Sequence, residues 1–216
     1  ILIAARSRIA EDALAAAVGR GVTQYVVLGA GLDTFACRNP HAGLAVFEVD
    51  HPATQGWKRR RLAQAGLVSS ATYAPVDFER ETLADGLARA GFDAAAPAVF
   101  SWLGVVPYLT REAGFATLAW IAAIPGAEVV FDHGEPPSAY PPEQREQRAA
   151  RAAAVARMGE PWITFFEPGP LAADLKGLGF AEVIDHGPAA MAERFLGVTG
   201  RAGPGAHVLH ASAAPL

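Results

Sequence analysis

Two glycines and one acidic residue have the types and the spacing to hold a nucleoside-type ligand. The apolar run Tyr25–Leu28 ends in Gly29-Ala30-Gly31, and a second apolar run ends at Asp50, 21 residues after Gly29. Glycines at the end of a parallel strand let a ligand approach the backbone closely, and an acid at the next strand end can accept both hydroxyls of a ribose. The alternative is an ordinary strand–helix–strand turn without a ligand, since Gly-Ala-Gly alone is a weak signal.

Position 34 separates two classes of nucleotide-like ligand. The dinucleotide fingerprint G-x-G-x-x-G needs a third glycine at this position, where the sequence has Thr34. That glycine allows the close helix–strand packing found beside a pyrophosphate. The pattern therefore favours a ligand without a pyrophosphate, of which S-adenosylmethionine is the common one. A nicotinamide cofactor is the alternative.

Three further groups could complete such a site. Asp77 and Phe78 follow the third apolar run, where the carboxylate could accept the amino group of an adenine and the ring could pack on the base. A helix cap is an equally good interpretation of Asp77. Trp102 ends the fourth apolar run. Arg6 precedes the first strand and is either a partner for a ligand carboxylate or an ordinary solvated charge.

Seven apolar segments alternate with segments of helical spacing. The predicted strands are Tyr25–Leu28, Ala45–Val49, Thr72–Val76, Pro97–Trp102, Ala127–Phe131, Phe180–Ile184 and Ala206–His210. This alternation predicts an α/β fold in one domain, residues 1–216, with a doubly wound, mostly parallel seven-stranded sheet. Ligands of such sheets bind outside the carboxyl ends of the strands, where Gly29, Asp50, Asp77 and Trp102 all lie. A polar, Arg-rich helix within about residues 136–166 is predicted to form a cap over the site.

Composition argues against several other classes of protein. The chain has 216 residues, 51% of them hydrophobic, and a net charge of −4, which disfavours disorder and a nucleic-acid partner. The lone cysteine, Cys37, fits a reducing compartment, and no apolar run reaches the roughly 18 residues of a membrane span. We therefore expect a cytoplasmic protein without a membrane partner. The six histidines form no zinc motif, so no metal is expected.

Two charged features are assigned ordinary roles. The run of four cations from Lys58 to Arg61 is predicted to be a solvated helix face rather than a phosphate site. His51 and His133 each follow a strand and could act as a base, although lone surface histidines are commoner.

These segments together resemble the class I S-adenosylmethionine-dependent methyltransferases, and more narrowly the leucine carboxyl methyltransferase-like family. The matching segments, about half of the chain, are Ala4–Arg8, Val26–Arg38, Phe47–Pro52 with Lys58, Val76–Glu79 and Trp102–Thr110. The resemblance implies a doubly wound fold and S-adenosylmethionine as the cofactor. The family usually has a glutamate at the position of Leu103, so the resemblance does not carry over a polar contact to the cofactor at that strand end, nor the family's substrate preference.

The resemblance also implies a role for each matching residue. Arg6 pairs with the methionine carboxylate of the cofactor. The turn Gly29–Gly31, with Ala30 between the glycines, lies beneath it. Asp50 binds the ribose, and Asp77 with Phe78 binds the adenine. Trp102 and Leu103, at the end of the fourth strand, face the sulfonium side.

The expected activity is methyl transfer from S-adenosylmethionine to an oxygen, of a carboxylate or a hydroxyl, on a small-molecule acceptor. A carboxylate acceptor needs no base, whereas a hydroxyl does. Tyr108, just past the fourth strand, is the candidate catalytic residue through contact with the substrate, and a plain core tyrosine is the alternative. A nicotinamide-dependent oxidoreductase and a non-catalytic S-adenosylmethionine-binding module remain open as alternatives, and the oligomeric state is not predicted.

Overall fold

A computed structural model describes residues 2–78, 80–200 and 203–214, in which strands and helices alternate. The helices are α1 (Leu2–Gly19), α2 (Phe35–Arg38), α3 (Pro52–Gln64), α4 (Leu83–Arg89), α5 (Arg111–Ala122), α6 (Pro142–Arg157), α7 (Pro168–Gly177) and α8 (Pro188–Leu196). The strands are β1 (Gln24–Leu28), β2 (Ala45–Asp50), β3 (Ala71–Pro75), β4 (Val99–Trp102), β5 (Glu128–Gly134), β6 (Phe180–His186) and β7 (Ala206–Ala213). Short 3₁₀ turns at Val106–Tyr108 and Pro137–Ala139 complete the described elements.

The seven strands form one sheet in the order β3-β2-β1-β4-β5-β7-β6. Strands β1 to β5 pair in parallel, and β7 lies antiparallel between β5 and β6. The chain runs outward from β1 to β3 and then crosses to β4 on the other side of β1. This reversal places the topological switch point of the sheet between β1 and β4, which is where such folds bind ligands. The predicted α/β fold with a mostly parallel seven-stranded sheet is confirmed.

Strand β1 shows why the centre of the sheet reads as a continuous apolar run. All five of its residues are buried, with alternate side chains on opposite faces. Tyr25 and Val27 pack into a cluster with Leu14 of α1, whereas Val26 and Leu28 pack into a cluster with residues of α4 and α5. Helices therefore cover both faces, as parallel sheets require. This coverage holds the loops at the carboxyl ends of the strands on a rigid base.

Several element boundaries follow from local signals. Thr110 caps α5, because its hydroxyl accepts a hydrogen bond of 3.2 Å from Ala113 N–H. Pro52 opens α3, as expected of proline in a first helical turn.

None of the helices in the described ranges combines the length and the apolar composition of a membrane span.

Among the differences from the sequence prediction, two concern helix α8 and strand β5. Helix α8 was not predicted, although Pro188 begins it and Gly197, with φ of 66°, ends it in the left-handed region. Strand β5 runs three residues past Phe131, so Asp132 and His133 lie within the strand instead of after it. Pairing with β7 out to Gly134 explains this extension.

Candidate functional site

The glycine turn after β1 is tied directly to the acid at the end of β2. Gly31 N–H donates a hydrogen bond of 2.5 Å to Asp50 Oδ2, and His51 N–H donates one of 2.7 Å to Asp50 Oδ1. Ala30 N–H donates to the carbonyl of Val49. The carboxylate of Asp50 is therefore fixed beside the turn, and each of its oxygens keeps a further acceptor site.

The backbone of this turn requires glycine. Gly29 and Gly31 have φ of 63° and 41°, in the left-handed region that other residues rarely adopt. A Cβ on Gly29 would stand 2.5 Å from Val105 Cγ2, in the loop after β4. Position 29 thus lets the loops after β1 and β4 approach each other closely.

An apolar cavity of about 240 Å³ lies beside Gly29 and Val105, where these two loops meet. It is lined by Leu28, Gly29, Phe78, Leu83, Trp102, Val105, Leu109, Ala113 and Thr117. Trp102 is 4% exposed, whereas Phe78 is 61% exposed and stands free to cover a bound group. The cavity has the apolar walls and the aromatic ring that a flat base would pack against.

Asp77 does not cap the helix that follows it. Thr82 is the N-cap of α4, and its hydroxyl accepts from Asp85 N–H at 3.1 Å. Asp77 instead begins the turn before that helix, with its carboxylate 3.4 Å from the guanidinium of Arg80 and its N–H donating to Glu81. The helix-cap interpretation of Asp77 is therefore wrong.

Arg6 reaches the carboxyl ends of β4 and β5. Its Nη1 lies 2.9 Å from Asp132 Oδ2, and Gly104 N–H donates to the other oxygen of the same carboxylate. A Cβ on Gly104 would stand 2.8 Å from Arg6 Nη2, so the guanidinium lies directly against this loop. Arg8 points elsewhere, since it pairs with Asp12 on an exposed face of α1.

Asp132 is a candidate site residue that the sequence interpretation missed. The signal was present, because an acid directly follows an apolar run, as at Asp50 and Asp77. Leu103, by contrast, packs against an apolar cluster formed by Ala5, Ile9 and neighbouring residues of α1, β5 and β7. The carboxylate at this end of the sheet therefore comes from β5 and not from the residue after β4.

A second cavity, of about 300 Å³, has Arg6 in its wall. Its walls include Tyr108, 36% exposed, and four residues of the segment predicted as a cap: Arg148, Arg151, Trp162 and Phe165. Backbone bonds hold that segment in place, from Ile163 N–H to Pro107 O at 2.8 Å and from Phe166 N–H to Gly134 O at 3.0 Å.

Lys58 corrects the prediction of a uniformly solvated cationic face on α3. Its Nζ lies 2.7 Å from Glu48 Oε2, and the two side chains are 4% and 1% exposed. Burial raises the pKa of the Glu48 carboxyl, although the ammonium of Lys58 acts in the opposite direction. The following cations, Arg59 to Arg61, are exposed as predicted. Lys58 therefore ties α3 to β2, two residues before Asp50.

His133 departs from the expectation of a lone surface residue, whereas His51 is exposed as expected. His133 is 2% exposed, stacks on His207 at 5.2 Å between ring centroids, and has a pKa lowered to about 4 by burial and by that neighbour. His207 is held by Asp185 at 2.8 Å. His51 accepts from Ala53 N–H at the start of α3. Among the described residues, no three His, Cys, Asp or Glu side chains converge to hold a metal ion.

Comparison with known proteins assigns this arrangement to a family. The model of the leucine carboxyl methyltransferase family matches residues 1–122, which include every element described above from α1 to α5. The chain belongs to the leucine carboxyl methyltransferase family. The matched residues contain the glycine turn, Asp50, Asp77 and Arg6, whereas Asp132 and the cap segment lie beyond them.

Curated relatives match over a similar part of the chain. A Bacillus subtilis protein, named provisionally as an S-adenosyl-L-methionine-dependent methyltransferase, is 39% identical over 137 residues, 61% of this chain and 45% of its own length. A Mycobacterium marinum protein with the same provisional name is 34% identical over 142 residues, 64% of this chain and 47% of its own length. The chain thus spans about half the length of these relatives.

Solved methyltransferase structures share the fold at low sequence identity. Magnesium protoporphyrin IX methyltransferase from Synechocystis, with bound S-adenosylhomocysteine, has a TM-score of 0.57 at 11% identity, over 98% of this chain and 84% of its own. A Nostoc punctiforme protein assigned as an O-methyltransferase has a TM-score of 0.60 at 11% identity, over 92% and 54% of the two chains. At these identities the likeness concerns the fold alone.

Proposed function

We propose that this chain binds S-adenosylmethionine at the carboxyl ends of β1, β2 and β4 and serves a methyltransferase that acts on an oxygen of a small molecule. The observation that carries the proposal is the glycine turn locked to the Asp50 carboxylate beside an apolar cavity. Family membership favours this proposal over a nicotinamide-dependent oxidoreductase.

The residues present fit the parts of this cofactor. Asp50 keeps acceptor capacity on both oxygens for the hydroxyls of a ribose, and its carboxylate is already oriented by two backbone N–H groups. The apolar cavity with Phe78 and Trp102 suits an adenine. Asp77, which precedes Phe78 in the chain, would accept the exocyclic amine. Arg6, at the carboxyl ends of β4 and β5, supplies the cation for a carboxylate.

Arg6 already forms an ion pair with Asp132, so a cofactor carboxylate must bind to its remaining donors. The guanidinium shares Asp132 with Gly104 N–H, and its side chain is 22% exposed. Five N–H donors leave room for a second carboxylate without breaking the first pair. We propose that Asp132 holds Arg6 in orientation and that Arg6 binds the cofactor carboxylate with its remaining donors.

The bound cofactor supplies a methyl group on a positively charged sulfur, and transfer forms a carbon–oxygen bond as the carbon–sulfur bond breaks. The protein positions the acceptor oxygen in line with that bond and keeps water out. The second cavity has Arg6 in its wall and is lined on one side by the segment around 136–166, so we propose it as the acceptor site and that segment as its cap. Tyr108 would contact the acceptor there.

The family and one structural neighbour both support an oxygen atom as the methyl acceptor. The family is named for a carboxyl acceptor, and structural neighbours include a mitomycin 7-O-methyltransferase. A carboxylate is ionised at neutral pH and needs no base, whereas a hydroxyl would need one. We keep both acceptor types within the proposal.

Two measurements test the proposal in sequence. Calorimetric titration with S-adenosylhomocysteine and separately with NADPH should give binding for the first only. Radiolabelled methyl transfer to a panel of carboxylic acids and phenols should then label an acceptor. NADPH binding without S-adenosylhomocysteine binding would refute the cofactor assignment. Cofactor binding without transfer to any acceptor would support a non-catalytic binding module.

A further inference from the structure

The second cavity contains an arginine that is not neutralised by any carboxylate of the described chain. Arg148 lies on α6, is half-buried, and forms none of the ion pairs found among residues 2–78, 80–200 and 203–214. Its guanidinium carbon lies 3.8 Å from the ring centroid of Tyr140, which is itself 3% exposed. The stacking holds the planar guanidinium in a fixed orientation.

Arg148 reaches the end of β5, close to the predicted cofactor end of the site. A Cβ built on Gly134 would stand 4.0 Å from Arg148 Nη2 and 3.7 Å from Phe165 Cδ1. Gly134 lies on β5, two residues after Asp132, and Asp132 forms the ion pair with Arg6. The guanidinium therefore lines the same cavity as Arg6, with an aromatic ring beside it.

The two carboxylates at this end of β5, Asp132 and Glu135, have other partners. Asp132 is shared by Arg6 and the N–H of Gly104. Glu135 accepts from Gly205 N–H at 3.0 Å and lies 3.4 Å from His207 Nε2. The cavity is thus cationic within a chain whose net charge is −4. An anion entering it would meet an oriented guanidinium without displacing an existing partner.

A second cation and two aromatic rings extend the same wall. Arg151, one turn further along α6, lies 5.8 Å from the ring centroid of Trp162. Trp162 and Phe165 both line the cavity. A molecule with an anionic group and a flat apolar part would satisfy both features together.

We propose that Arg148 binds an anionic oxygen group, carboxylate or phosphate, of the methyl acceptor, and that the acceptor is a small anion with an apolar or aromatic portion. The inference rests on the proposed function in taking this cavity as the acceptor site. The planar fork of Arg148 gives two parallel hydrogen bonds to such a group, and Trp162 and Phe165 pack on the remainder. The residue therefore selects the acceptor rather than reacting with it.

Binding of simple probes tests this inference without knowledge of the natural acceptor. Phenylacetate, phenyl phosphate and the neutral phenylacetamide are titrated by ligand-observed NMR, with and without saturating S-adenosylhomocysteine. We expect an anionic probe to bind at millimolar concentration and the amide to bind at least about tenfold more weakly, as the loss of charged hydrogen bonds requires. Comparing phenylacetate with phenyl phosphate shows which anionic group fits.

Variants on the same helix separate Arg148 from general charge. Arg148→Gln should remove the preference for the anion, and Arg148→Lys should restore part of it. Arg157→Gln, on an exposed position of α6, is the matched control and should leave binding unchanged. Far-ultraviolet circular dichroism of each variant verifies that the fold is intact.

Several results would overturn the inference. These are equal binding of amide and anion, no anion binding at millimolar concentration, or an equal loss in Arg157→Gln. Weaker S-adenosylhomocysteine binding in Arg148→Gln, with probe binding unchanged, would assign Arg148 to the cofactor instead. If wild-type protein binds no S-adenosylhomocysteine, the proposed function fails, while the titrations without it still decide the role of Arg148.

Discussion

Replacing Lys58 with methionine would leave the carboxylate of Glu48 buried without its partner. The two side chains are 4% and 1% exposed and meet at 2.7 Å. Removing one member of a buried pair costs about 3–5 kcal/mol of the free energy of unfolding, because the remaining charge is left uncompensated. Removing both charges, as Lys58→Met with Glu48→Leu, should recover about 2 kcal/mol or more of that loss.

The loss in Lys58→Met should depend on pH with a definite sign. Burial already raises the pKa of Glu48, and without the ammonium that opposes this effect the pKa rises further. The folded variant then binds a proton that the unfolded chain releases, so its stability increases as pH falls. The deficit relative to wild type is greatest above the raised folded-state pKa and shrinks as pH falls through it towards the ordinary carboxyl range.

Urea denaturation followed by circular dichroism, at about pH 8 and about pH 5, measures both effects. Arg60→Met, on the exposed face of the same helix, is the control and should change stability by no more than about 0.5 kcal/mol. The reasoning is refuted if Lys58→Met is as stable as wild type, or if the double variant is no more stable than the single one. A deficit that grows at low pH would also refute it.

Three further predictions concern the cofactor site. Asp50→Asn should weaken S-adenosylhomocysteine binding by about 1.5–3 kcal/mol in calorimetry, because a charged acceptor is lost, and an unchanged affinity would contradict the ribose assignment. Gly29→Ala should lower stability by about 1–3 kcal/mol more than Gly43→Ala, since both have positive φ but only the first meets a neighbouring side chain; equal melting temperatures would disprove the close approach. Arg6→Ala should weaken binding of S-adenosylhomocysteine but not of adenosine, with Arg8→Ala as control, and equal losses for both ligands would indicate a folding effect.

The parts of the fold that could be predicted from sequence are those specified locally. The apolar run before Gly29 and the acid at Asp50 lie within one strand–helix–strand unit. The hydrogen bond from Gly31 N–H to the Asp50 carboxylate links the ends of the two strands of that unit. Thr110 predicts the start of α5, because the side chain of an N-cap residue bonds to the first turn of its own helix. In each of these cases the signal and its structural partner are close in sequence.

The features that could not be predicted depend on partners distant in sequence. In the sequence, Lys58 is one of four consecutive cations on a helix. Only the packing of α3 against β2 shows that its side chain is buried in an ion pair with Glu48. His133 reads as a polar residue after a strand until β7 places His207 beside it. Arg148 is one of several arginines on α6, and only the fold brings its guanidinium to the end of β5.

The antiparallel position of β7 has a consequence for how the chain folds. Once β5 has been made, strands β1 to β4 have every strand neighbour that they have in the final sheet, whereas β5 and β6 both pair with residues 206–213. During synthesis, β5 therefore stays a sheet edge and β6 has no strand partner until those residues emerge from the ribosome. The wall of the sheet that carries Asp132 and His133 must then close last, by a long-range pairing whose loop-closure entropy slows it. We expect hydrogen-exchange protection to appear in β1 and β2 before it appears in β5.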